Sequence, residues 1–209
     1  MGGVCIGLMT AGNVRKETVE SLLACATTKT VKWMFLTTSG PYLDDGRNNM
    51  VLAFNDAHLD LCDRLLMVDS DIEFTPADVR QLEEDDLPVV AGVYHSPYAG
   101  GIKPVVYRWV DCPTGRTMVP IDEWPAGDDP LVEVEGVGAG FLMVKREVFA
   151  EMWDHFEKPL PWFAEEVVDG THLGEDLCFN VRCAELGIKT FVDKRVQVAH
   201  HKSIRLCGE

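Results

Sequence analysis

The 209-residue chain lacks most of the short signatures that announce a function. It has no C-x-x-C, and its seven cysteines (Cys5, Cys25, Cys62, Cys112, Cys178, Cys183 and Cys207) are odd in number and scattered. That pattern argues against a disulfide framework or a zinc knuckle and for reduced, buried thiols. No apolar run approaches the ~18 residues that span a bilayer. The N-terminus has no charged segment ahead of its short apolar stretch, so no signal peptide is expected. Met1-Gly2 opens like a myristoylation site, but Ile6 stands where Ser or Thr is required. Neither G-x-x-x-x-G-K-S/T nor G-x-S-x-G occurs, which excludes a P-loop nucleotide hydrolase and a nucleophile elbow. Val137-Gly138-Ala139-Gly140-Phe141 is not G-x-G-x-x-G and opens no helix, so a dinucleotide site is unsupported; its glycines allow close backbone approach to a ligand. Positive charge is also scarce: 19 Lys and Arg face 34 Asp and Glu, a net −15. Such a balance disfavours a duplex-binding basic face and adhesion to anionic membrane. The chain reads as soluble, intracellular and cytoplasmic.

What is present is ordinary globular composition, 46% hydrophobic and 25% charged, at a length suited to one domain. Val4–Met9, Thr30–Thr37, Arg64–Val68 and Pro88–Tyr94 read as buried strands. Helical spacing over Val14–Ala26 and Arg47–Leu61, and the Thr75-Pro76 helix start, separate them. Ser39-Gly40-Pro41 ends the second strand. This alternation predicts an α/β, mainly parallel sheet covered by helices on both faces. Beyond Tyr94 the pattern shifts to short strands at Lys103–Val110, Met118–Ile121, Leu131–Val134 and Phe141–Val144, a small antiparallel β appendage. The acidic stretch from Asp122 to Glu135 reads as a solvated appendage. A helix is expected from Arg146 to Phe156, an exposed loop over Glu165–Gly174, and a helix over Glu175–Leu186 capped by Gly187. Lys189–Asp193 and Val196–His200 read as two closing extended segments.

Three constellations carry chemistry. Asp69-Ser70-Asp71 follows the apolar run RLLMV; a lone D-x-D is often a solvated turn, but at the carboxyl end of a buried strand it suits a hard divalent cation. Gly174-Glu175-Asp176 opens a helix, where acidic residues are stabilised by the macrodipole and one can also serve as a general base. His200-His201 ends an extended segment, so the two rings point to opposite faces and cannot chelate one ion together. Lys194, Arg195, Lys202 and Arg205 surround them, a basic cluster able to hold phosphate oxygens or to act as a solubilising tail. Trp162-Phe163, Tyr94, His95 and Tyr98 suit stacking on a sugar or base as well as they suit a core.

The ordered series resembles a glycosyltransferase of the GT-A fold, family-2-like, over almost the whole chain. It runs through the TAG loop, Gly46-Arg47-Asn48, LLMVDSDIEFTP, GVGAGFLMVKREVF, PWF, GEDLCFNVRCAELGIKTFVD and VQVAHHK, with Asp176 105 positions after Asp71 and His200 24 further on. The compact size is similar to that of small phage and bacterial glycosyltransferases, which would place a phage-encoded copy in the host cytoplasm. The resemblance implies one catalytic domain over 1–209, with a nucleotide-binding half (1–94) and an acceptor-binding and C-terminal half (95–209). It implies a UDP- or GDP-sugar donor and Mn²⁺ or Mg²⁺. Asp71 and His200 would hold the metal, with Asp69 touching ribose or metal. Thr10, Arg47, Ser70, Gly138 and Gly140 would line the nucleotide sugar. Lys202 and Arg205 would steady the leaving diphosphate. Asp176, or in second place Glu175, would be the base of an inverting hexosyl transfer; in a retaining enzyme Asp176 would bind hydroxyls instead. The acceptor stays open: a protein, a glycan, a lipid-linked sugar or a modified DNA base, with no membrane insertion. The competing readings are a sugar-nucleotidyltransferase, whose Gly-rich start TAGNVRK does not match, and a non-catalytic carbohydrate-binding protein.

Overall fold

The computed structural model describes residues 3–38, 42–56, 61–113, 115–157, 159 and 161–202. Arg205, Cys207, Ala57 and His58 of the second helix, and the Ser39-Gly40-Pro41 break lie outside the described residues.

The first half alternates as its sequence pattern demands: β1 (Val4–Thr10), α1 (Lys16–Thr28), β2 (Trp33–Thr38), α2 (Leu43–Asp56), β3 (Arg64–Asp69), β4 (Ile72–Glu73), α3 (Pro76–Glu84) and β5 (Val89–Val93). The second half is built from β6 (His95–Tyr98), β7 (Gly101–Pro104), β8 (Val106–Cys112), β9 (Gly115–Pro120), β10 (Leu131–Val134), β11 (Gly136–Val137), β12 (Phe141–Lys145), α4 (Arg146–His155), β13 (Glu166–Val168), β14 (Thr171–Leu173), α5 (Glu175–Glu185), β15 (Thr190–Gln197) and β16 (Ala199–His200).

A seven-stranded sheet in the order β10-β15-β5-β12-β3-β1-β2 forms the centre. β2, β1, β3, β5 and β15 run one way; β12 is antiparallel to both β3 and β5, and β10 is antiparallel to β15. The sheet is therefore mainly parallel, with two inverted strands. Because successive residues of a strand point to opposite faces, β3 feeds two cores. Leu65 and Met67 pack with α2, α4 and α5 on one side, and Leu66 and Val68 pack with α1 and α3 on the other. α3 starts on a capping box: Thr75 accepts from the Asp78 N–H and Asp78 accepts from the Thr75 N–H. A three-stranded antiparallel sheet, β11-β8-β9, forms the smaller layer.

Four expectations change. The stretch 165–174 is a hairpin, β13–β14, with Leu173 buried. Its turn is Asp169-Gly170, both at positive φ (49° and 83°), the geometry that matches the twist of two-residue hairpins. The acidic segment is only partly solvated: Trp124 packs against the core, Val132 is buried, and Leu131–Val134 is the outermost strand of the central sheet. The two closing segments are one strand, β15, with an irregular register between Asp193 and Gln197, followed by the short β16. Trp162 and Phe163 are core residues: the Trp162 indole donates to Phe149 O and Phe163 stacks on Phe179 at 4.7 Å, so neither is available to stack on a sugar.

Candidate active site

Asp69 is the last residue of β3, at the carboxyl end where ligands of such sheets bind. The turn after it is pinned from three directions. The Asp69 N–H donates to Gly140 O (3.0 Å), Ser70 O accepts from the Arg15 N–H (2.8 Å) and from Thr18 Oγ1 (3.1 Å), and Asp71 O accepts from the His201 N–H (2.8 Å). β4 then pairs with β16, placing His200 opposite Ile72. Residues 128 positions apart in sequence become neighbours through two very short strands, as the His201–Glu73 contact (2.7 Å) also shows.

The His200 ring is nearly enclosed, its side chain 8% exposed, and stands edge-on to Tyr94. Its Nδ1 lies 2.8 Å from His95 O. A carbonyl only accepts, so Nδ1 carries the proton and, in the neutral ring, Nε2 bears the lone pair. That Nε2 faces Asp71 Oδ2 at 3.4 Å. Two acceptors turned toward each other call for a cation or a proton between them. Lys202 Nζ supplies part of that charge at 2.8 Å from the same oxygen. Burial raises the Asp71 carboxyl, but the hydrogen bond from Lys202, joined by one from His200 whenever Nε2 also carries a proton, outweighs it and holds it at about 2. Oxygen and imidazole nitrogen suit Mn²⁺ or Mg²⁺, so this pair fits a divalent ion. Among the described residues no group of three or more His, Cys, Asp or Glu is arranged to hold a metal ion.

Arg47 organises the opposite wall. It is buried, and its Nε donates to Glu175 (3.0 Å), Nη1 to Ala139 O (3.1 Å) and Nη2 to Asp69 Oδ1 (3.3 Å). Arg47, expected beside the nucleotide, ties β3, the 136–140 segment and α5 together. Glu175 is buried in this pair, whereas the neighbouring Asp176 is half-buried, with Oδ1 accepting from the Leu177 N–H. Burial, reinforced by Glu175 and opposed by Arg47, pushes the Asp176 carboxyl up to about 6. Asn48 on the next position of α2 locks that helix to the PWF segment by bonds to and from Phe163.

Gly138 and Gly140 face Tyr94: a Cβ at Gly138 would stand 2.2 Å from its hydroxyl, and one at Gly140 would stand 2.9 Å from it and 3.0 Å from Asp69 Oδ2. Their smallness makes room for this tyrosine, whose hydroxyl accepts from the Gly140 N–H. Thr10, at the end of β1, is buried with its hydroxyl in the turn to Asn13. A cleft of about 720 Å³ lies between residues 13–17, Ser70, Asp71, His201 and Lys202. Arg15 and Lys16 on its rim were not singled out from sequence; a basic pair opening the helix after the first strand is the signal that marks them. The basic cluster divides: Lys202 meets Asp71, while Arg195 is committed to Asp193 and Asp85.

No protein-family model matches the chain, and no curated protein matches it in sequence. Solved structures do match. A197 from STIV is 19% identical and superposes with a TM-score of 0.59 over 96% of this chain and 86% of its own. GalNAc-T7, crystallised with UDP, GalNAc and Mn²⁺, is 12% identical, TM-score 0.56, over 95% of this chain and 43% of its own. The inositol-1-phosphate CTP transferase from T. maritima is 12% identical, TM-score 0.50, over 97% and 90%. At these identities the likeness is one of architecture, and together with the sheet order it shows that the chain has a GT-A-like fold.

Proposed function

We propose that the chain is a metal-dependent glycosyltransferase that moves a hexosyl group from a nucleotide-diphosphate sugar to an acceptor hydroxyl with inversion. The observation that carries this reading is the pair Asp71 Oδ2 and His200 Nε2, two acceptors 3.4 Å apart with the ring oriented by His95 O. Asp71 of this pair lines a cleft that Arg15, Lys16 and Lys202 also line. These two residues would hold Mn²⁺ or Mg²⁺, which when bound stabilises negative charge on the leaving diphosphate. Lys202, with Arg15 and Lys16, holds the phosphate oxygens; Arg205 is assigned the same task. Asp69 is oriented by Arg47 on the donor side, with Thr10 and Ser70 beside it.

Asp176 is the base. Above about pH 6 its carboxylate accepts the acceptor hydroxyl proton as that oxygen bonds to the anomeric carbon and the bond from that carbon to the diphosphate oxygen breaks. Glu175 is spent on Arg47, so it positions rather than reacts. Isothermal titration with UDP- and GDP-sugars, with and without Mn²⁺, tests this: metal-dependent binding of one of them is expected, and none from either series defeats the reading. The likeness to a nucleotidyltransferase keeps one alternative in play, and release of pyrophosphate from a nucleoside triphosphate plus a sugar phosphate would favour it.

A further inference from the structure

The second half carries a concavity remote from the diphosphate cleft. Cavities of about 690 and 590 Å³ share Glu133, Val134 and Glu135 as a common wall. One contains Trp109 and the other Trp124. The first is built where the C-terminal end of α5 meets β15, β8 and the β13–β14 hairpin. From Asp176 to Glu185 the helix advances about 14 Å at 1.5 Å per residue, so the Glu185 end of this cavity stands away from the proposed base, while Asn180 lies one turn from it.

Asn180 lines the first cavity and is 2% exposed. Its Nδ2 donates to Val137 O (2.9 Å) and Asp176 O (2.6 Å), while its Oδ1 is buried and accepts no hydrogen bond from any described residue. Flipping the amide would set oxygen against two carbonyls, so the orientation is fixed. An unpaired buried acceptor costs about 1–3 kcal/mol, and a ligand donor reaching it would recover that cost.

The lining selects the ligand. Six carboxylates face three cations around the two cavities, which rejects phosphates and acidic polymers. Part of this charge is already engaged: Glu133 holds Lys189 (2.8 Å), Glu135 accepts from the Trp109 backbone N–H (2.7 Å), and Arg116 stacks on the Trp109 ring at 4.9 Å. What remains is an array of oriented acceptors beside two indoles. A ligand rich in hydroxyl donors with apolar ring faces satisfies both.

We infer that this double cavity is a binding site for a neutral oligosaccharide, two or more residues long, lying across Glu133–Glu135 with Trp109 and Trp124 at its two ends. Its role as an anchor for a glycan acceptor or product rests on the glycosyl-transfer reading; saccharide binding itself does not.

The test uses the full chain without nucleotide or divalent ion, titrated with maltotriose and with triacetylchitotriose, and separately with spermidine and hexalysine, following indole N–H signals by NMR. One trisaccharide should shift the Trp109 and Trp124 signals and leave that of Trp153 in place. Trp109→Ala should weaken the binding roughly tenfold, and Trp109→Phe, which keeps an aromatic ring and serves if the alanine variant does not fold, should weaken it less. No response to either trisaccharide, or a response to the polyamine or hexalysine alone, overturns the assignment. Donor binding with no saccharide response removes this site and leaves the transferase reading; saccharide binding with no donor does the reverse.

Discussion

Two groups of carboxylates, each tied to one arginine, adjoin different strands of the same sheet. In the first, Arg47 bridges Glu175 and Asp69, and Asp176 sits beside them; in the second, Arg195 bridges Asp85 and Asp193. Burial lifts Asp176 and Asp85 alike to about 6. The arginines differ: Arg47 is 5% exposed at its side chain and has all three of its donor groups placed, whereas Arg195 is 46% exposed. The surroundings differ too. Asp176 adjoins the carboxyl end of β3, whereas Asp85 closes α3 against β15, where Oδ1 accepts from Gln81 and Arg195 and Oδ2 is buried with no donor among the described residues. On the proposed function, the same electrostatic strain would serve chemistry at Asp176, whereas at Asp85 it is a stability cost.

Substituting the two raised acids should separate these cases most sharply. Asp176→Asn should lower kcat by roughly 10²–10⁴ with a small change in melting temperature, and wild-type kcat/KM should fall as pH drops below about 6, where the base becomes protonated. A variant that keeps full transfer activity would remove Asp176 from the mechanism. Next comes Arg47→Leu, which strands the buried Glu175 without its partner and should destabilise by about 3–5 kcal/mol in urea unfolding; a loss under 1 kcal/mol would mean that the Arg47–Glu175 pair is not a structural hub.

Asp85→Asn should act in the opposite direction. Its raised carboxyl adds stability fully below the ordinary carboxylate value and loses it as pH rises through about 6. The amide stays neutral and can donate to Asp193, so the variant should be more stable than wild type by about 2–3 kcal/mol at pH 7.5 and equal to it near pH 4. Equal melting curves at both pH values would argue that Asp85 ionises freely. The smallest effect belongs to the other end of the same helix: Thr75→Ala breaks the capping box and should cost about 1 kcal/mol with no dependence on pH between 5 and 8.

Much of the first half is legible in sequence because its strands are buried on both faces and read as continuous apolar runs, RLLMV above all. The D-x-D turn, the acidic helix start at Glu175 and the opposed faces of His200 and His201 are legible for the same local reasons. Other features depend on partners far along the chain. Nothing near Arg47 announces that its three contacts come from residues 69, 139 and 175. β10 hides in an acidic stretch because an edge strand needs only one buried face, here Val132. The β13–β14 hairpin shows little apolar alternation, with Val167 69% exposed, although its Asp-Gly turn was a readable signal.

The position of β15 has a consequence for how the molecule comes into being. β10 touches the central sheet only through β15, and His200 follows directly on that strand. During synthesis Leu131–Val134 must therefore wait, unpaired at that edge, until some sixty further residues have left the ribosome. The cation pair closes later still, when β16 reaches β4. Long-range pairing of this kind is slow, so His200 meets Asp71 only after β15 and β16 have been made. An unfinished chain thus holds a nearly complete first half that has no His200 to set against Asp71.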